Sequence, residues 1–223
     1  MGFRSYPEKH GGRTAKGDVM KLVLMEFLSL DGVYQGPGNP DEDTTDSFTR
    51  GGWFVPFIDE ALMRAVTAWV AEADGFLFGR RTYENFARDW PKMDDPNDPI
   101  ASKLNGAPKY VASTSLERAP WAPSTILSGD IFGGITALKA RPGRELQIHG
   151  SGRLAYSLLE AGLVDELRLM IAPVALGQGR KLFRDGGQPL GFRPLKAEVT
   201  PAGLTIQVYE KAGTPTFATY SPS

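Results

Sequence analysis

The sequence predicts an α/β fold, in which helices cover both faces of a mainly parallel β-sheet. Short apolar segments typical of buried strands alternate with amphipathic helical segments along most of the 223 residues, which is the pattern of a parallel sheet. Two of the strands end in glycine turns that lead directly into helices. Near the C-terminus, two strand-like segments are separated by a turn alone, which indicates an antiparallel edge strand.

The first half of the chain contains two strands, two helices and a long irregular segment. Apolar residues from Leu22 to Leu28 favour the first strand, and the segment Ser29 to Phe57 that follows is rich in Gly, Pro, Asp and Thr. Structureless segments longer than about 15 residues are uncommon in compact domains and are often functional, so this one is a candidate substrate lid. The next predicted elements are a helix from Asp59 or Glu60 to Ala73, a strand at 75–78 and a helix from Gly79 to the residues before Pro91.

The second half alternates strands and helices and then ends in strands. Ile100, Ala101 and Leu104 are compatible with a short helix in the Asp-rich and Pro-rich connection at 91–108. The turn Thr200-Pro201-Ala202-Gly203 predicts a hairpin between the last two strands. The remaining predicted elements are strands at 109–112 and 125–127, a helix at 131–140, a strand beginning at Glu145, a helix that ends before Gly162, and strands at 166–173, 192–200 and 204–210.

Composition and charge argue against several classes of protein. The net charge of −1 and the scattered Lys and Arg residues argue against nucleic-acid binding as the main activity. The absence of cysteine excludes disulfides and thiolate metal sites, and two histidines are too few for a multi-histidine zinc centre, although carboxylate-bound magnesium stays open. Residues 1–19 are polar and lack the apolar block of a signal peptide. We therefore expect a soluble cytoplasmic protein without a membrane partner, whose residues 1–19 form a flexible extension.

The turn His149-Gly150-Ser151-Gly152-Arg153 joins an apolar strand to an amphipathic helix. Its glycines allow unusual backbone dihedrals and close approach of a ligand, and the first helical N–H groups carry the positive end of the helix dipole. Phosphate is the natural ligand of such a turn. A tight connection without any ligand is the alternative. Ala155 stands where the dinucleotide-binding fingerprint has its third glycine, so a standard Rossmann domain is not established.

A second glycine turn, Gly79-Arg80-Arg81-Thr82, also leads from a strand into a helix. Arginine makes planar, charge-assisted contacts with phosphate, and two phosphate-binding turns in one α/β domain suggest a dinucleotide. The additional arginine charge favours NADP, whose 2′-phosphate needs a cationic partner. The alternative is that Arg80 and Arg81 form a solvated helix face.

Taken in order, these motifs resemble the dihydrofolate reductase-like family. The residues that carry the resemblance are Ser29-Leu30-Asp31-Gly32, Gly79-Arg80-Arg81-Thr82-Tyr83-Glu84, Tyr110-Val111-Ala112-Ser113, His149-Gly150-Ser151-Gly152-Arg153 and Val164-Asp165-Glu166-Leu167. More closely, the chain is similar to the branch that contains the reductase domain of riboflavin biosynthesis proteins and many uncharacterised stand-alone relatives. The resemblance covers a reductase domain at 20–211 and leaves the extension at 1–19 and a C-terminal tail at 212–223 outside.

The resemblance implies a three-layer fold with an eight-stranded, mostly parallel central sheet, an antiparallel C-terminal edge strand and NADPH lying across the strand ends. It also implies a homodimer formed through the C-terminal strands. The cofactor-binding residues that it implies are Leu28 and Gly32 near the nicotinamide, Gly79, Arg80, Arg81 and Thr82 at the adenosine phosphate and pyrophosphate, Ser113, Thr114 and Ser115 at the adenosine end, and Gly150, Ser151, Gly152, Arg153 and Leu154 at the pyrophosphate or nicotinamide half.

Hydride transfer needs no protein nucleophile, but a proton must often follow the hydride. Asp31, which follows the first strand, is the first candidate for proton transfer, and its alternative role is to cap a turn. Asp59 is the second, because an acid on the first helix binds the pteridine in folate-reducing relatives, and its alternative role is to stabilise the first helical turn. Trp53, Phe54 and Phe57 either stack on a flat substrate or anchor their loop in the core, and Trp53 and Phe57 are the two assigned to substrate binding. His149 is a weaker candidate, because strand residues beside glycine turns commonly make structural hydrogen bonds.

The function predicted from these residues is NADPH-dependent hydride transfer to a small planar heterocycle or an imine-like substrate, of the pteridine or ribosylaminopyrimidine type. Reduction in riboflavin biosynthesis is the narrower form of this hypothesis. Two other classes of protein stay open, namely a non-catalytic dinucleotide-binding or regulatory module and a binder of nucleotide phosphates unrelated to redox chemistry.

Overall fold

The computed structural model describes residues 19–221, so the predicted extension at 1–19 lies outside the described residues except for Val19. An eight-stranded β-sheet forms the centre of the fold. In chain order, the strands are β1 (Lys21–Ser29), β2 (Ala73–Gly79), β3 (Lys109–Ala112), β4 (Ser124–Leu127), β5 (Glu145–His149), β6 (Glu166–Ala172), β7 (Gly191–Val199) and β8 (Thr205–Gly213).

Across the sheet, the strands lie in the order β4-β3-β2-β5-β1-β6-β8-β7. The pairs from β4 to β6 are parallel, whereas β8 pairs antiparallel with both β6 and β7. The turn at Thr200 to Gly203 joins β7 to β8, as the hairpin prediction required, and Thr200 and Leu204 close it through a hydrogen bond of 2.8 Å. The mostly parallel sheet with antiparallel pairing at its C-terminal edge is confirmed.

The helices of the described chain are α1 (Glu60–Ala71), α2 (Arg80–Asp89), α3 (Pro99–Gly106), α4 (Ile131–Lys139) and α5 (Gly152–Glu160). Asp59, Asp98 and Asp130 cap α1, α3 and α4 by accepting hydrogen bonds from first-turn N–H groups. By contrast, α2 and α5 begin at the two glycine turns and have no side-chain cap. Their first N–H groups therefore lack the oxygen partner that a capping side chain would supply.

Helices cover both faces of the sheet, which makes the fold three-layered. On one face, apolar residues of α4 and α5 pack on Leu22, Leu24 and Leu28 of β1. On the other face, Leu62 of α1 packs near Met25 of β1, and a third cluster joins β2 to α2 and α3. Successive side chains of a strand point to opposite faces of the sheet. Those of β1 therefore pack into different core clusters, as expected for a strand that is buried on both faces.

The segment between β1 and α1 contains short 3₁₀ turns at Thr45–Ser47 and Val55–Phe57 and is otherwise irregular. An isolated bridge between Val33 and Lys181 ties its start to the connection that follows β6. No helix within residues 19–221 is both long enough and apolar enough to cross a lipid bilayer.

Candidate functional site

A cavity of about 540 Å³ opens at the carboxyl ends of β1, β2 and β5. Both glycine turns contribute to its wall, together with the segment between β1 and α1. Clefts at the carboxyl ends of parallel strands are the usual ligand sites of α/β sheets. The cofactor-binding residues predicted in the two turns all line it, namely Gly79, Arg80, Arg81, Thr82, Gly150, Ser151, Gly152, Arg153 and Leu154.

The two glycine turns hold each other in place. The N–H of Ser151 donates to Oγ1 of Thr82 at 3.1 Å, and the N–H of Gly79 donates to Oγ of Ser151 at 2.9 Å. Ser151 has a left-handed backbone, with φ of 59°, and Gly150 before it has φ of 56°. The left-handed conformation costs an L-residue free energy, so these hydrogen bonds help to hold a strained turn.

The uncapped helix ends make this part of the cavity attractive to anions. The N-termini of α2 and α5 both border the cavity, and neither has a side-chain cap. Arg80, Arg81 and Arg153 add positive charge around the same opening. Free N–H groups, two helix dipoles and guanidinium groups together favour a ligand with more than one phosphate.

Residues predicted at the adenosine end lie beside one of these arginines. Nη1 of Arg80 donates to Oγ of Ser115 at 3.0 Å. Ser113 is buried, and its Oγ accepts hydrogen bonds from the N–H groups of Ser115 and Leu116, so that it shapes the turn. Ser115 and Thr114 are exposed. Of the three predicted residues, Ser115 is thus the one that the structure joins directly to the α2 turn.

Gly152 makes a close approach possible, but to a side chain of the protein. A Cβ atom at this position would come within 2.4 Å of the ring of Tyr34. Arg180 lies on the same tyrosine, with its guanidinium carbon 5.9 Å from the ring centroid. The lack of a side chain at Gly152 therefore lets the segment between β1 and α1 pack on the start of α5.

Arg180 ties that segment to the connection after β6. Its Nη1 donates to Thr45 at 2.6 Å and forms an ion pair with Asp46 at 2.9 Å, and its Nη2 pairs with Asp43. Its backbone N–H donates to Oε1 of Gln35. The turn at 177–181 therefore holds the candidate lid through Arg180.

Glu26 is the residue of the cavity wall that sequence reasoning missed. It lies on β1, is only 3% exposed, and its Oε2 has no hydrogen-bond partner among the described residues. Burial, followed by repulsion from Glu42, raises the pKa of its carboxyl group well above the ordinary value of 4.5, against an opposing hydrogen bond from the backbone of Phe27. The signal in the sequence is a single acid within an otherwise apolar strand.

His149 lies at the end of β5 and forms part of a buried polar chain. Nε2 of Gln147 donates to Glu145 and to the carbonyl of Trp69, both at 2.6 Å, so Oε1 of Gln147 is left to accept from Nε2 of His149 at 3.0 Å. His149 therefore carries its proton on Nε2. Burial, with a smaller contribution from Arg168, lowers the pKa of this histidine to about 4. The ring is neutral at pH 7, and no described residue hydrogen-bonds its Nδ1.

The polar chain continues away from the cavity. Arg168 of β6 forms two hydrogen bonds with Glu145, at 2.6 and 3.0 Å, and one with Glu166 at 2.8 Å. All three side chains are buried. This network holds Gln147, and through it His149, in one orientation.

The two predicted catalytic acids lie outside the wall of the cavity. Asp31 accepts hydrogen bonds from the N–H groups of Leu176 and Gly177 at 2.9 and 2.8 Å and from Ser29 at 2.6 Å. Partial burial opposes these bonds, which nevertheless lower the pKa of Asp31 to about 2. Asp59 accepts from the N–H groups of Leu62 and Ala202. Asp59 has the first-turn role that was its alternative, whereas Asp31 mainly binds backbone N–H groups of a segment distant in the chain.

The predicted aromatic contacts are also distributed differently. Trp53 is buried and donates from Nε1 to the carbonyl of Gln35, and Phe57 packs against the same core cluster. Of the three aromatic candidates, Phe54 is the one that lines the cavity, and it stacks on Phe27 with ring centroids 4.1 Å apart. Leu28 is in the core, and Gly32 forms the turn that follows β1 with φ of 80°. No group of three or more His, Asp or Glu residues positioned for a metal ion occurs in the described part of the chain.

Comparison with known proteins adds a family to this geometry. The family described as the RibD C-terminal domain matches residues 20–206. YyaP of Bacillus subtilis, an uncharacterised protein, is 28% identical to this chain over 195 residues, which cover 86% of this chain and 96% of YyaP.

Solved structures share the fold at low sequence identity. A protein named for riboflavin biosynthesis from Shewanella sp. PV-4 matches with a TM-score of 0.62 and 23% identity, over 86% of this chain and 99% of the other. A pyrimidine reductase-like protein from Corynebacterium diphtheriae matches with a TM-score of 0.56 and 16% identity, over 86% and 92% of the two chains. A diaminohydroxyphosphoribosylaminopyrimidine deaminase/5-amino-6-(5-phosphoribosylamino)uracil reductase from Thermotoga maritima matches with a TM-score of 0.59 and 12% identity, over 87% of this chain and 57% of that longer protein.

Proposed function

The chain belongs to the RibD C-terminal domain family, and from this premise we propose that it is an NADPH-dependent reductase of a small planar heterocycle or an imine-like compound. The observation that carries the proposal is a pair of uncapped helix N-termini that border one cavity. Hydrogen bonds of Ser151 join the two helix starts, and Arg80, Arg81 and Arg153 lie in the same cavity wall. A dinucleotide has two adjacent phosphates to place at these two helix ends.

The residues present fit this cofactor. The N–H groups at the start of α2 and α5 suit the pyrophosphate, and Arg80 beside Ser115 suits the 2′-phosphate that distinguishes NADPH from NADH. The cavity, at about 540 Å³, is within the range of ordinary small-molecule sites. Bound there, NADPH would supply the hydride for reduction.

The apolar side of the cavity suits a flat substrate. Phe54 and Phe27 stack on each other there, and Val66 and Met170 complete an apolar surface. Such a surface excludes water and positions a planar ring, and the lid held by Arg180 forms another part of the cavity wall. The name of the Thermotoga relative makes 5-amino-6-(5-phosphoribosylamino)uracil the first substrate to test.

The proposal is tested first by binding. NADPH and NADH are titrated against the purified protein, with the fluorescence of the cofactor as the readout. ATP is then tested as a competitor of bound NADPH. NADPH is expected to bind most tightly of the three. Turnover is then measured with 5-amino-6-(5-phosphoribosylamino)uracil and with dihydrofolate. Absence of saturable NADPH binding would overturn the proposal. Binding without oxidation of NADPH by any acceptor would favour the non-catalytic module instead.

The proposal includes a homodimer in the cytoplasm. The edge strand β7 exposes Leu195 and Val199, which are 46% and 71% accessible. Exposed apolar side chains on a strand edge suit association with a second copy. Sedimentation velocity is expected to show a dimer, and a monomer at all concentrations would remove this part of the proposal.

A further inference from the structure

Glu26 is an acid without a charge partner. Its neighbours on β1 are Met25 and Phe27, and no Lys, Arg or His of the described chain lies within ion-pair distance of its carboxyl group. Transfer of an unpaired carboxylate from water to such a site costs much more free energy than transfer of the neutral acid. The surroundings of Glu26 therefore favour a carboxyl group that retains its proton.

The titratable groups that face Glu26 act in the same direction. Glu42, on the segment between β1 and α1, repels a negative charge on Glu26. The pKa of the Tyr34 phenol is raised, chiefly by burial, and the charge of Glu26 contributes to this rise. Neither neighbour supplies a positive charge that would stabilise the carboxylate. A neutral carboxyl group differs from a carboxylate in one functional respect, because it has an O–H that can donate.

The other acids of the cavity wall are already engaged as acceptors. Glu42 accepts the N–H of Gly38 at 2.7 Å. Asp43 accepts from the N–H of Thr45 at 3.2 Å and pairs with Arg180. By contrast, Oε2 of Glu26 has no hydrogen-bond partner among residues 19–221, which leaves it available to a bound ligand.

We propose that Glu26, in its neutral form, is the proton donor of the reaction, a role that rests on the proposed function. As the carbon of a substrate C=N group gains the hydride that NADPH supplies, the nitrogen takes the proton from the Glu26 carboxyl group. The C–N π bond breaks, new C–H and N–H bonds form, and the carboxylate regains a proton from water. The substrate gains two electrons, and NADPH loses them.

His149 does not compete for this role. Its Nε2 proton is donated to Gln147, which Glu145 and the Trp69 carbonyl hold in orientation, and its Nδ1 carries no proton. His149 therefore offers the cavity an acceptor, whereas Glu26 offers a donor. The two groups supply complementary contacts for a heterocycle that has both N–H and bare nitrogen atoms.

The protonation state is tested without substrate. Infrared difference spectra of the native protein against Glu26→Gln are recorded at pH 7, with and without NADPH. The native protein is expected to show the carbonyl band of one protonated carboxyl group that the variant lacks. Glu117→Gln, which removes an exposed carboxyl group outside the cavity wall, is the control and should retain the band. Absence of the band from the native protein would overturn the neutral acid even if the reductase reaction is found.

The catalytic role is tested by single-turnover reduction of 5-amino-6-(5-phosphoribosylamino)uracil, or of whichever heterocycle in the panel the native protein reduces. General acids typically contribute about 100-fold to 10,000-fold, so Glu26→Gln is expected to lower this rate about 100-fold or more while NADPH affinity is unchanged. Glu117→Gln should reduce substrate at close to the native rate. An unchanged rate in Glu26→Gln would overturn the role of donor. Failure of the native protein to oxidise NADPH with any acceptor would overturn the proposed function and this role with it, whereas the infrared band would still report the neutral acid.

Discussion

The hydroxyl of Thr82 accepts the backbone N–H of Ser151 at 3.1 Å, which joins the starts of two helices that lie 69 residues apart in the chain. A second hydrogen bond joins the same two turns, because Oγ of Ser151 accepts the N–H of Gly79. Each glycine turn is thus positioned by the other, so the two helix N-termini form a single structural unit in the cavity wall. Several measurable consequences follow from this unit and from the buried polar groups behind it.

Replacement of Thr82 by valine removes the acceptor and leaves the Ser151 N–H without its partner. We expect unfolding to require about 1 kcal/mol less free energy, at the lower end of the effect of an unsatisfied buried donor, because this hydrogen bond is only partly buried. The dissociation constant for NADPH should rise about tenfold, which corresponds to a loss of about 1.4 kcal/mol of binding free energy, because the two helix starts are less well positioned. Urea denaturation and fluorescence titration measure the two effects. Thr136→Val is the control, because that hydroxyl donates to the carbonyl of Phe132 on the exposed side of α4. Native NADPH affinity in Thr82→Val would refute the coupling.

Arg80→Ala and Arg81→Ala test the selectivity for the 2′-phosphate. Charge-assisted hydrogen bonds contribute about 1.5 to 3 kcal/mol, so each variant should bind NADPH roughly 10-fold to 100-fold more weakly. The affinity for NADH should change much less, because NADH lacks the phosphate. Equal losses for both cofactors would show that these arginines bind another part of the dinucleotide. Arg64→Ala, in an exposed pair with Glu60, serves as the control.

Glu26→Gln should change how stability depends on pH. The raised pKa means that the folded protein holds a proton that the unfolded chain releases, so the native protein loses stability as the pH rises from the ordinary value of 4.5 through the raised pKa. The variant lacks this loss. Its stability relative to the native protein should therefore increase with pH, as measured by urea denaturation between about pH 5 and pH 8. Parallel curves for the two proteins would contradict a raised pKa. The exposed substitution Glu117→Gln should shift stability by less than about 0.5 kcal/mol throughout.

Arg168→Met breaks the buried ion network behind His149. The substitution leaves Glu145 and Glu166 without their shared cation, and removal of one partner from a buried pair costs about 3 to 5 kcal/mol. The urea midpoint should fall accordingly. Arg64→Met breaks an exposed pair and should cost only about 0.5 kcal/mol or less. Similar costs for the two variants would mean that water reaches Arg168 freely.

Arg180→Ala should loosen the candidate lid. The variant loses the ion pairs with Asp43 and Asp46 and the contact with the Tyr34 ring. Without these contacts, local opening of the lid costs less free energy. Backbone amides at 36–48 are therefore expected to exchange with deuterium faster. Mass spectrometry of peptides from this segment provides the measurement. Arg184→Ala, whose guanidinium lies on Tyr156, should leave the exchange unchanged. Unaltered exchange in Arg180→Ala would mean that other contacts hold the lid.

Local sequence patterns sufficed for most of the architecture. The predicted strand at 109–112 has the observed bounds of β3, and Asp59 caps α1 at the predicted start. These features depend on periodicity, capping and turn residues within a few positions of each other. The two glycine turns were predicted for the same reason, since a strand, glycine and helix are adjacent in the chain.

Contacts between distant segments were harder to predict. Asp31 binds backbone N–H groups about 145 residues away, which no local pattern indicates. Likewise, Glu26 stands out as the single acid of an apolar strand, but the sequence does not indicate that its side chain lines a cavity. Which of Trp53, Phe54 and Phe57 reaches the cavity depended on how an irregular segment folds back on the sheet, and such segments have no sequence period from which to predict it.

The position of β1 has a consequence for how the protein is made. This strand lies between β5 and β6, where Lys21 pairs with Glu145 and Val23 pairs with Glu166. A ribosome must therefore synthesise well over half of the polypeptide before the first strand meets either neighbour. During that interval Leu22, Val23 and Leu24 stay exposed to other nascent chains, and slow non-local pairing of this kind favours aggregation. We therefore expect the yield of folded protein to depend more strongly on growth temperature and translation rate than on the thermodynamic stability of the folded state.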